Sequence, residues 1–368
     1  RFKMNKNKKL IVTLVIAGII TVAVGGVALL AMFVIPNKKV EKTEVTETEE
    51  TTVQTVETTT ADPYVGKTPS FLTGEYVKDK TAKRRPVALM YNNIINAMPH
   101  SGISNADVCY EAPVEGGITR IMGIFQNYDK LKKMGSVRSC RIYYCAFALE
   151  WDAIYSHYGQ SQYALGFLKS DKIDNVGALN AENYFYRTTD RVAPHNAFTS
   201  GKNLNNAIKA LKYRKEYKKG YKGHFKFANF GEKVDLNSKK TAKTVEMGYV
   251  INKPWYKFKN GQYYRYQYGE KHIDDQNNKQ LHCSNIIIQF VDSTLYPDNK
   301  SLNITLNGSG KGWFITNGKA EKITWKKDKQ MSGQTKYFDE TGKEIVLNTG
   351  KTWVQIVQNE YADNVVIK

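Results

Sequence analysis

Cysteine is scarce in this sequence, which has four cysteines in 368 residues and none before Cys109. They form no C-x-x-C pair and show no other spacing typical of zinc ligands, so a structural zinc site is not indicated. No cysteine lies close behind the N-terminal apolar run either. We therefore do not expect a lipid-modified N-terminal cysteine.

The four cysteines are expected to be small buried hydrophobic residues. Cys140 and Cys145 are five positions apart on a predicted helix. This separation puts them roughly 140° apart around its axis, so they are not expected to pair with each other. Because disulfides form and persist in exported domains, one disulfide among these cysteines remains an alternative. The complete set is Cys109, Cys140, Cys145 and Cys283.

Known catalytic signatures are also missing. There is no H-E-x-x-H, and Gly159-Gln-Ser161 begins a G-x-S-x-G motif without completing it. We therefore predict no metal site and no cofactor. Whether the protein is an enzyme stays open, with a preference for a non-enzymatic role.

Charged residues are absent from Leu10 to Ile35, an apolar run of 26 residues. A helix of this length exceeds the roughly 30 Å hydrocarbon core of a membrane. A cleavable signal peptide would have a shorter apolar region and a small-x-small site after it. The preceding segment 1–9 is basic, which favours a cytoplasmic N-terminus. The sequence thus predicts a single-pass cell-membrane protein with a transmembrane helix over 10–35 and an extracellular body.

Aromatic residues are missing from 36–62, which is rich in Thr and Glu. Such a composition does not supply enough apolar surface to offset the entropy of ordering, so we predict a disordered stalk. Beyond it, the pattern of the sequence changes near Gly231: helix-like and strand-like segments alternate before this residue, and mostly strand-like segments follow it. We therefore predict an α/β domain over 63–231 and a β-rich domain over 232–368.

Acidic residues are too few to balance the basic ones. From residue 63 onward the chain keeps 46 Lys and Arg against 28 Asp and Glu, a net charge of about +18. A charge of this size attracts polyanions and anionic surfaces. Outside a cell these are phosphate-rich wall polymers and lipid headgroups, and we do not expect nucleic acid. A solvated lysine surface without a specific partner would have the same charge.

The fold class predicted is α+β, with a layered α/β domain followed by a mostly β domain. In the first domain, strand-like segments alternate with helix-like ones, which is typical of an α/β layer structure. Strands are predicted at 86–91, 106–111, 119–125 and 153–158, and helices at 139–150, 161–170 and 202–215.

The second domain is predicted to be β because its segments alternate and are joined by hairpin signals. Asn260-Gly261 and Asn317-Gly318 are dipeptides that favour tight two-residue hairpins. Further strands are predicted at 285–291 and 353–357. Aromatic residues recur at every second position, which indicates either a core face or, less often, a face on which sugars stack. They are Tyr264, Tyr266, Tyr268, Trp313, Trp325 and Trp353.

Several long motifs resemble the YerB family of Gram-positive cell-envelope proteins. The resemblance implies two domains of unknown function, an envelope location and no established activity. Family members are often lipoproteins, whereas here a predicted transmembrane anchor takes the place of the lipid-bearing cysteine. The matching segments are 87–93, 101–107, 110–120, 135–141, 193–196, 311–314, Trp325 and 349–353.

The motif from 110 to 141 contains the first group of candidate site residues. Arg138 and Arg141 flank Ser139, the expected N-cap of a helix. Positive side chains oppose the helix dipole there, so we predict an anion between them and the free backbone N–H groups. That anion is either a bound phosphate or carboxylate, or an internal partner such as Glu111 or Glu115. Arg120, Gly116 and Gly117 complete this group; the glycines allow close approach of a ligand or form a plain turn.

A second group of candidates comes from His157 and a polar loop. His157 lies at the end of a predicted strand, where ligands collect in open α/β sheets, although a structural role is favoured for a lone histidine without a partner visible in the sequence. The loop has two arginines, a histidine and an amide within ten residues, which suits an anion-binding or acid–base loop. The alternative is a loop that uses these donors on its own carbonyls. Its residues are Arg187, Arg191, His195 and Asn196.

Three functions follow from these observations. The first is a binding or regulatory module that recognises an anionic wall component or an envelope partner. The second is a hydrolase or transferase acting on a wall polymer, with His157, His195, Glu111 or Glu115 as catalytic groups and arginines stabilising charge. The third is a scaffold for another membrane protein.

Overall fold

The computed structural model describes residues 64–229 and 231–368, and all of them belong to one compact unit. The predicted leader (1–9), transmembrane helix (10–35) and stalk (36–62) lie outside the described residues. Within the described ranges, no helix is long and apolar enough to cross a membrane.

Helices are few and short in the described part of the chain. The 3₁₀ turns are Ile95–Ala97, Ile103–Asn105, Glu115–Gly117, Glu182–Tyr184 and Asn359–Asn364. The α-helices are α1 (Asp79–Lys83), α2 (Ile142–Glu150), α3 (Gln162–Leu168) and α4 (Gly201–Ala210).

Strands dominate both halves, which we define as residues 64–229 and 231–368. The first half contains β1 (Lys67–Pro69), β2 (Tyr76–Lys78), β3 (Val87–Asn92), β4 (Val108–Pro113), β5 (Thr119–Phe125), β6 (Met134–Gly135), β7 (Ile154–Ser156), β8 (Asn175–Val176), β9 (Tyr186–Arg187), β10 (Ala197–Thr199) and β11 (Lys226–Phe227). The second half contains β12 (Thr244–Glu246), β13 (Trp255–Lys259), β14 (Gln262–Gln267), β15 (Glu270–Lys271), β16 (Ile273–Asp274), β17 (Lys279–Gln280), β18 (His282–Cys283), β19 (Asn285–Val291), β20 (Ser293–Leu295), β21 (Leu302–Ile304), β22 (Gly308–Thr316), β23 (Lys319–Lys327), β24 (Lys336–Phe338), β25 (Val346–Leu347), β26 (Thr352–Gln358) and β27 (Val366–Ile367).

A ten-stranded mixed sheet forms the centre of the molecule, in the order β24-β23-β22-β19-β26-β4-β5-β3-β7-β8. Five of these strands come from each half, and the two sets meet where β26 pairs in parallel with β4. The halves therefore share one sheet. The domain boundary near Gly231 stays a prediction.

The central strands are buried on both faces, which explains why they are nearly continuous apolar runs. Along β3, Ala88 and Met90 belong to one hydrophobic cluster, which also contains residues of α2. Val87 and Leu89 belong to the other, which is shared with α4 and the smaller sheet β15-β14-β13-β12-β27. The coarser prediction of an α+β chain in two parts is confirmed, and the described residues form mixed sheets with few helices.

The two predicted hairpins are present. Asn260-Gly261 joins β13 to β14, and Asn317-Gly318 joins β22 to β23. All four of these residues have positive φ, as a type I′ turn requires. The turn matches the right-handed twist of the strands, so these dipeptides fix the register of both pairs.

One helix boundary differs from the prediction and changes the picture of the cysteines. The helix predicted from Ser139 begins only at Ile142, so Cys140 lies before it and the estimate of 140° does not apply. The Cys140 and Cys145 Sγ atoms lie 3.5 Å apart. All four cysteines are buried and unpaired by disulfides, as expected of small hydrophobic residues.

We expect Gly312→Ala to lower the free energy of unfolding by about 1–3 kcal/mol, because the added methyl group overpacks the sheet. A Cβ at Gly312 would lie 2.1 Å from the carbonyl oxygen of Ile288 in the neighbouring strand. Urea unfolding followed by circular dichroism measures the change. The matched control is Gly166→Ala in α3, where a Cβ meets nothing within 4 Å. This variant should be slightly stabilised. Equal effects of the two substitutions would contradict the packing described for β22.

Candidate functional site

The candidate site lies where β3 and β7 end and β5 begins. β3 and β7 are parallel, and β5 runs antiparallel to β3, so Asn92 faces Arg120 across the pair. The segment before α2 crosses this edge. The Arg138 N–H donates to the Met90 carbonyl, and the Arg138 carbonyl accepts from Tyr158 N–H. Arg138 is thereby fixed between the ends of the two parallel strands, where open α/β sheets place ligands.

Four predicted binding residues, Arg120, Arg138, Arg141 and Arg187, form what we call the arginine cluster. Their charges act on one another. Burial lowers the pKa of Arg138, and the charges of Arg141 and Arg187 lower it further. Burial also lowers the pKa of Arg120, to about 10, with contributions from Arg141 and Arg138. The structure therefore brings these four side chains together.

Arg141 is neutralised within the protein by Glu115. Its Nε and Nη2 donate to the Glu115 carboxylate at 2.5–2.9 Å, a two-pronged pair. Burial alone would raise the pKa of Glu115, but the hydrogen bonds and charge of Arg141 hold it below its usual value. For Arg141, the internal partner suggested by the sequence is the one observed.

Arg120 is not ion-paired among the described residues, and the Glu115 charge acts on it only from beyond ion-pair distance. The residue is 5 % exposed, and its Nη1 donates to the carbonyl oxygen of Ser139 at 2.5 Å. Its Nε is buried and lacks a hydrogen-bond partner among the described residues. A buried charge of this kind is costly unless it is paired, so Arg120 is held in an electrostatically unfavourable place.

Arg138 is half-buried and has no carboxylate partner in the described part of the chain. Arg187 is exposed and also has no carboxylate partner among the described residues; its Nη1 donates to the Asn196 amide oxygen at 2.7 Å. The Arg187 guanidinium carbon also lies 5.2 Å from the centre of the Tyr158 ring. These neutral contacts fix the position of Arg187 and leave its charge available.

His195 borders the cluster and is oriented by Asn92. The Asn92 Nδ2 lies 2.8 Å from His195 Nδ1. An amide nitrogen only donates, so Nδ1 accepts and the ring proton is on Nε2. Burial and the charge of Arg138 lower the pKa of His195. A neutral imidazole with an N–H donor therefore adjoins the arginines.

Gly116 and Gly117 form the turn between β4 and β5, both with φ of 72°. A Cβ at Gly116 would meet nothing within 4 Å, and one at Gly117 would contact Ile251 and Val250. The positive φ values account for glycine at both positions. The glycines lie beside Glu115, at the edge of the candidate site.

Arg191 has a tethering position outside the arginine cluster. Its Nη1 donates to the Ala97 carbonyl at 2.6 Å and its Nη2 to the Pro99 carbonyl at 2.7 Å. The Asp190 carboxylate lies 3.6 Å from its Nε. This arginine satisfies backbone carbonyls of another segment, and not those of its own loop.

His157 is placed in the core and does not reach the cluster. It is fully buried; Nδ1 lies 2.8 Å from the Gly159 carbonyl and Nε2 lies 3.4 Å from the Asn175 side-chain oxygen. Its ring packs against Tyr155. Burial lowers its pKa. The strand-end position suggested a site, but both ring nitrogens are engaged, which fits a structural histidine.

Glu111 is also fully buried and is paired with a residue that sequence reasoning missed. Arg265 Nη2 donates to Glu111 Oε2 at 2.6 Å, and neither side chain is exposed. Thr119 and Asn252 donate to the other carboxylate oxygen, Oε1, at 2.7 Å each. The negative charge of Glu111 is thus compensated within the core.

A chain of hydrogen bonds runs from Arg265 to the candidate site. Arg265 Nη1 donates to His272 Nδ1 at 2.6 Å, which places the His272 proton on Nε2. His272 Nε2 then donates to His100 Nδ1 at 2.9 Å, and His100 Nε2 donates to the Asn92 carbonyl at 2.7 Å. Asn92 is the residue that orients His195, so the core network supports the site. Asn92 is the last residue of β3. In the sequence it directly follows the predicted strand 86–91, which is a position where functional side chains are found in open α/β sheets.

Within the described residues, no group of three or more His, Cys, Asp or Glu side chains is arranged to hold a metal ion.

The fold is that of a family of two-part proteins of unknown function. The region 72–214 matches the N-terminal domain of "Protein of unknown function (DUF3048)", and 242–354 matches its C-terminal domain. The chain is 30% identical over 293 residues to "Putative lipoprotein YerB" of Bacillus subtilis (strain 168), covering 78% of this chain and 85% of that protein. The chain belongs to the YerB family, and the resemblance found in the sequence is confirmed.

A solved structure supports the same assignment. The crystal structure of YerB from Bacillus subtilis aligns with a TM-score of 0.71 and 28% sequence identity. The alignment covers 82% of this chain and 99% of that one. The architecture of the described residues is therefore the family architecture.

We expect Glu111→Ala to lower the free energy of unfolding by about 3–5 kcal/mol, because it leaves Arg265 as an unpaired buried charge. Chemical denaturation measures the loss. The control is Asp235→Ala, which removes a carboxylate from a pair with Lys319 that is 59% exposed on the aspartate side. This pair contributes at most about 1 kcal/mol. A small effect at Glu111 would show that its burial is not energetically important.

We expect stability to fall as pH decreases from about 6.5 to about 4, in part through His100. Burial lowers the pKa of His100 to about 4. In this window the unfolded histidine binds a proton that the folded one does not, so protons favour unfolding by up to about 1.4 kcal/mol per pH unit.

The contribution of His100 to the pH dependence of stability is isolated by comparing the denaturation of the parent chain and of His100→Gln between about pH 6.5 and about pH 4. The variant should show a shallower pH dependence. Asp107, whose pKa burial raises to about 6, acts in the opposite direction but is common to both proteins. Identical slopes would mean that His100 is not held neutral.

Proposed function

We propose that this chain is an extracytoplasmic, membrane-associated envelope protein that binds a phosphate-bearing wall component at the arginine cluster. The basic segment 1–9 followed by the apolar run 10–35 supports attachment to the membrane, with the N-terminus in the cytoplasm and the body outside. The curated name of the relative, a lipoprotein, supports the same side of the membrane.

The observation that carries the binding proposal is the excess of positive charge at Arg120 and Arg138. Arg141 has Glu115, but these two arginines have no carboxylate partner among the described residues. Like charges held together lower one another's pKa and cost stability. An anion bound between them would remove this cost and satisfy the free Nε of Arg120. Guanidinium groups suit phosphate because their planar donors match its oxygens.

A binding module is favoured over an enzyme by the surroundings of His195. Its Nδ1 accepts a hydrogen bond from an amide and does not donate to a carboxylate. It thus lacks the partner that raises the basicity of a catalytic histidine. The hydrolase and scaffold alternatives stay predictions, and no specific contact favours either.

We expect the purified full chain to bind poly(glycerol phosphate), and Arg138→Gln to weaken binding about tenfold or more. A hydrogen bond to a charged group is worth about 1.5–3 kcal/mol, and tenfold corresponds to about 1.4 kcal/mol. Isothermal titration calorimetry at physiological ionic strength is the measurement, because salt then screens distant charges.

Two comparisons make this experiment decisive. Lys209→Gln on α4 removes the same single positive charge away from the cluster, so it should leave binding unchanged. Equal losses of affinity in the two variants would mean that binding depends only on net charge, which would contradict a specific site. Phosphatidylglycerol vesicles form the second arm: tighter binding to them than to the polymer would identify a lipid headgroup as the source of the phosphate.

A further inference from the structure

The outer face of the small sheet carries aromatic residues that the core does not use. Tyr264, Tyr266 and Tyr268 on and beside β14 are half-exposed, while the alternate residues Tyr263 and Arg265 are buried. The expectation that these tyrosines form the core is therefore wrong. Trp325 and Trp353, by contrast, are buried.

Trp255 is held in place on this face by Tyr266. The two residues are cross-strand partners in the β13–β14 hairpin. Their rings stack with centroids 3.8 Å apart and planes 4° from parallel. Tyr266 thus covers one face of the indole, and the remaining surface of Trp255 lines a cleft. The orientation of the tryptophan is fixed before any ligand arrives.

The cleft has a volume of about 790 Å³, within the range of small-molecule sites. Its apolar lining comes from Trp255, Met247, Tyr249, Val250 and Pro254. Val250 is 45% exposed, although it belongs to this lining. Val250 and the half-buried Trp255 therefore present apolar surface to solvent, while Met247, Tyr249 and Pro254 are buried beneath them.

Polar groups stand at the same cleft, namely the side chains of Glu246, Thr244, Asn364 and Lys253. Glu246 lies opposite Trp255 on the neighbouring strand. Its Oε1 accepts from Lys368 Nζ at 3.3 Å, and both side chains are largely exposed. A carboxylate, an amide, a hydroxyl and an amine are thus arranged around an aromatic ring, a combination that hydrogen-bonds hydroxyl and amide groups of a ligand.

The floor of the cleft is rigid. Tyr249 is buried, and its hydroxyl lies 3.0 Å from the Glu111 carbonyl and 2.9 Å from the Ile356 carbonyl. Gly248 lies against the turn that carries Asn364: a Cβ there would approach the Tyr361 carbonyl to 2.5 Å. The polar groups are therefore held against a fixed surface.

A smaller cleft of about 150 Å³ adjoins the first, and the two share Tyr249 and Val250 in their linings. This second cleft is lined by Glu115, Gly116 and Gly117 among others. Two adjoining clefts suit an extended chain better than a single small molecule.

We propose that the Trp255 cleft binds an oligosaccharide of N-acetylated pyranose units. The apolar face of a pyranose ring packs on an aromatic side chain, whose negative face attracts C–H groups. Glu246, Asn364 and Thr244 then hydrogen-bond the ring hydroxyls, and the exposed side chain of Val250 contacts the acetyl methyl group. The proposal does not depend on the arginine cluster.

The test is calorimetric titration of the full chain with the β-1,4-linked tetramer of N-acetylglucosamine, compared with the corresponding glucose tetramer. The acetylated tetramer should bind and the glucose tetramer should bind at least about tenfold more weakly. Trp255→Ala should weaken binding of the acetylated tetramer by about tenfold or more. Trp313→Ala, the same change at a half-exposed tryptophan on the large sheet, should have no effect.

Three results would overturn the proposal: no binding of the acetylated tetramer, equal affinity for both tetramers, or unchanged binding by folded Trp255→Ala. Thermal unfolding checks that each variant is folded. If Trp255→Ala does not fold, Glu246→Gln and Asn364→Ala decide, because unchanged affinity in both would exclude the cleft. Arg138→Gln should keep tetramer binding, which separates this site from the arginine cluster.

Discussion

Two carboxylates of the first half lie in the core, and each is neutralised by a cation from the second half. Glu111 is paired with Arg265, and Glu150, at the end of α2, accepts from Lys327 Nζ at 2.8 Å. All four side chains are at most 1% exposed. Neither half can bury its charges alone at acceptable cost, because an unpaired ion in the core is strongly unfavourable. The shared sheet and the shared ion pairs therefore reinforce one another.

The same buried charges reach the candidate site through directed hydrogen bonds. The Arg265 guanidinium only donates hydrogen bonds, so it sets the direction in which His272 and His100 donate, and the Asn92 carbonyl is the last acceptor. Asn92 presents its amide to His195 at the surface. The position of a polar loop in the first half thus depends on an arginine in the second. This dependence gives a physical reason for the two regions to occur as one structural unit.

Local signals made part of this structure predictable. The Asn-Gly hairpins and apolar strands follow from turn chemistry and period, and the arginine cluster follows from the density of arginines in two motifs. Arg265 was not found because it is 154 positions from Glu111 and looks like any outward residue of an alternating strand. A strand-end position does not determine burial, so the sequence left both a site and a structural role open for His157, which the structure places in the core. The Cys140–Cys145 contact was missed because it depends on a helix boundary three residues later than expected.

The pairing of β4 with β26 also determines when the central sheet can be completed during synthesis. β4 is complete by Pro113, whereas its partner β26 begins only at Thr352. Until β26 has been synthesised, the first half has an open strand edge at β4. Contacts between such distant segments are slow to form, and open edges pair readily with other chains. The nascent chain must therefore be kept from aggregation until β26 is available, whichever compartment it folds in.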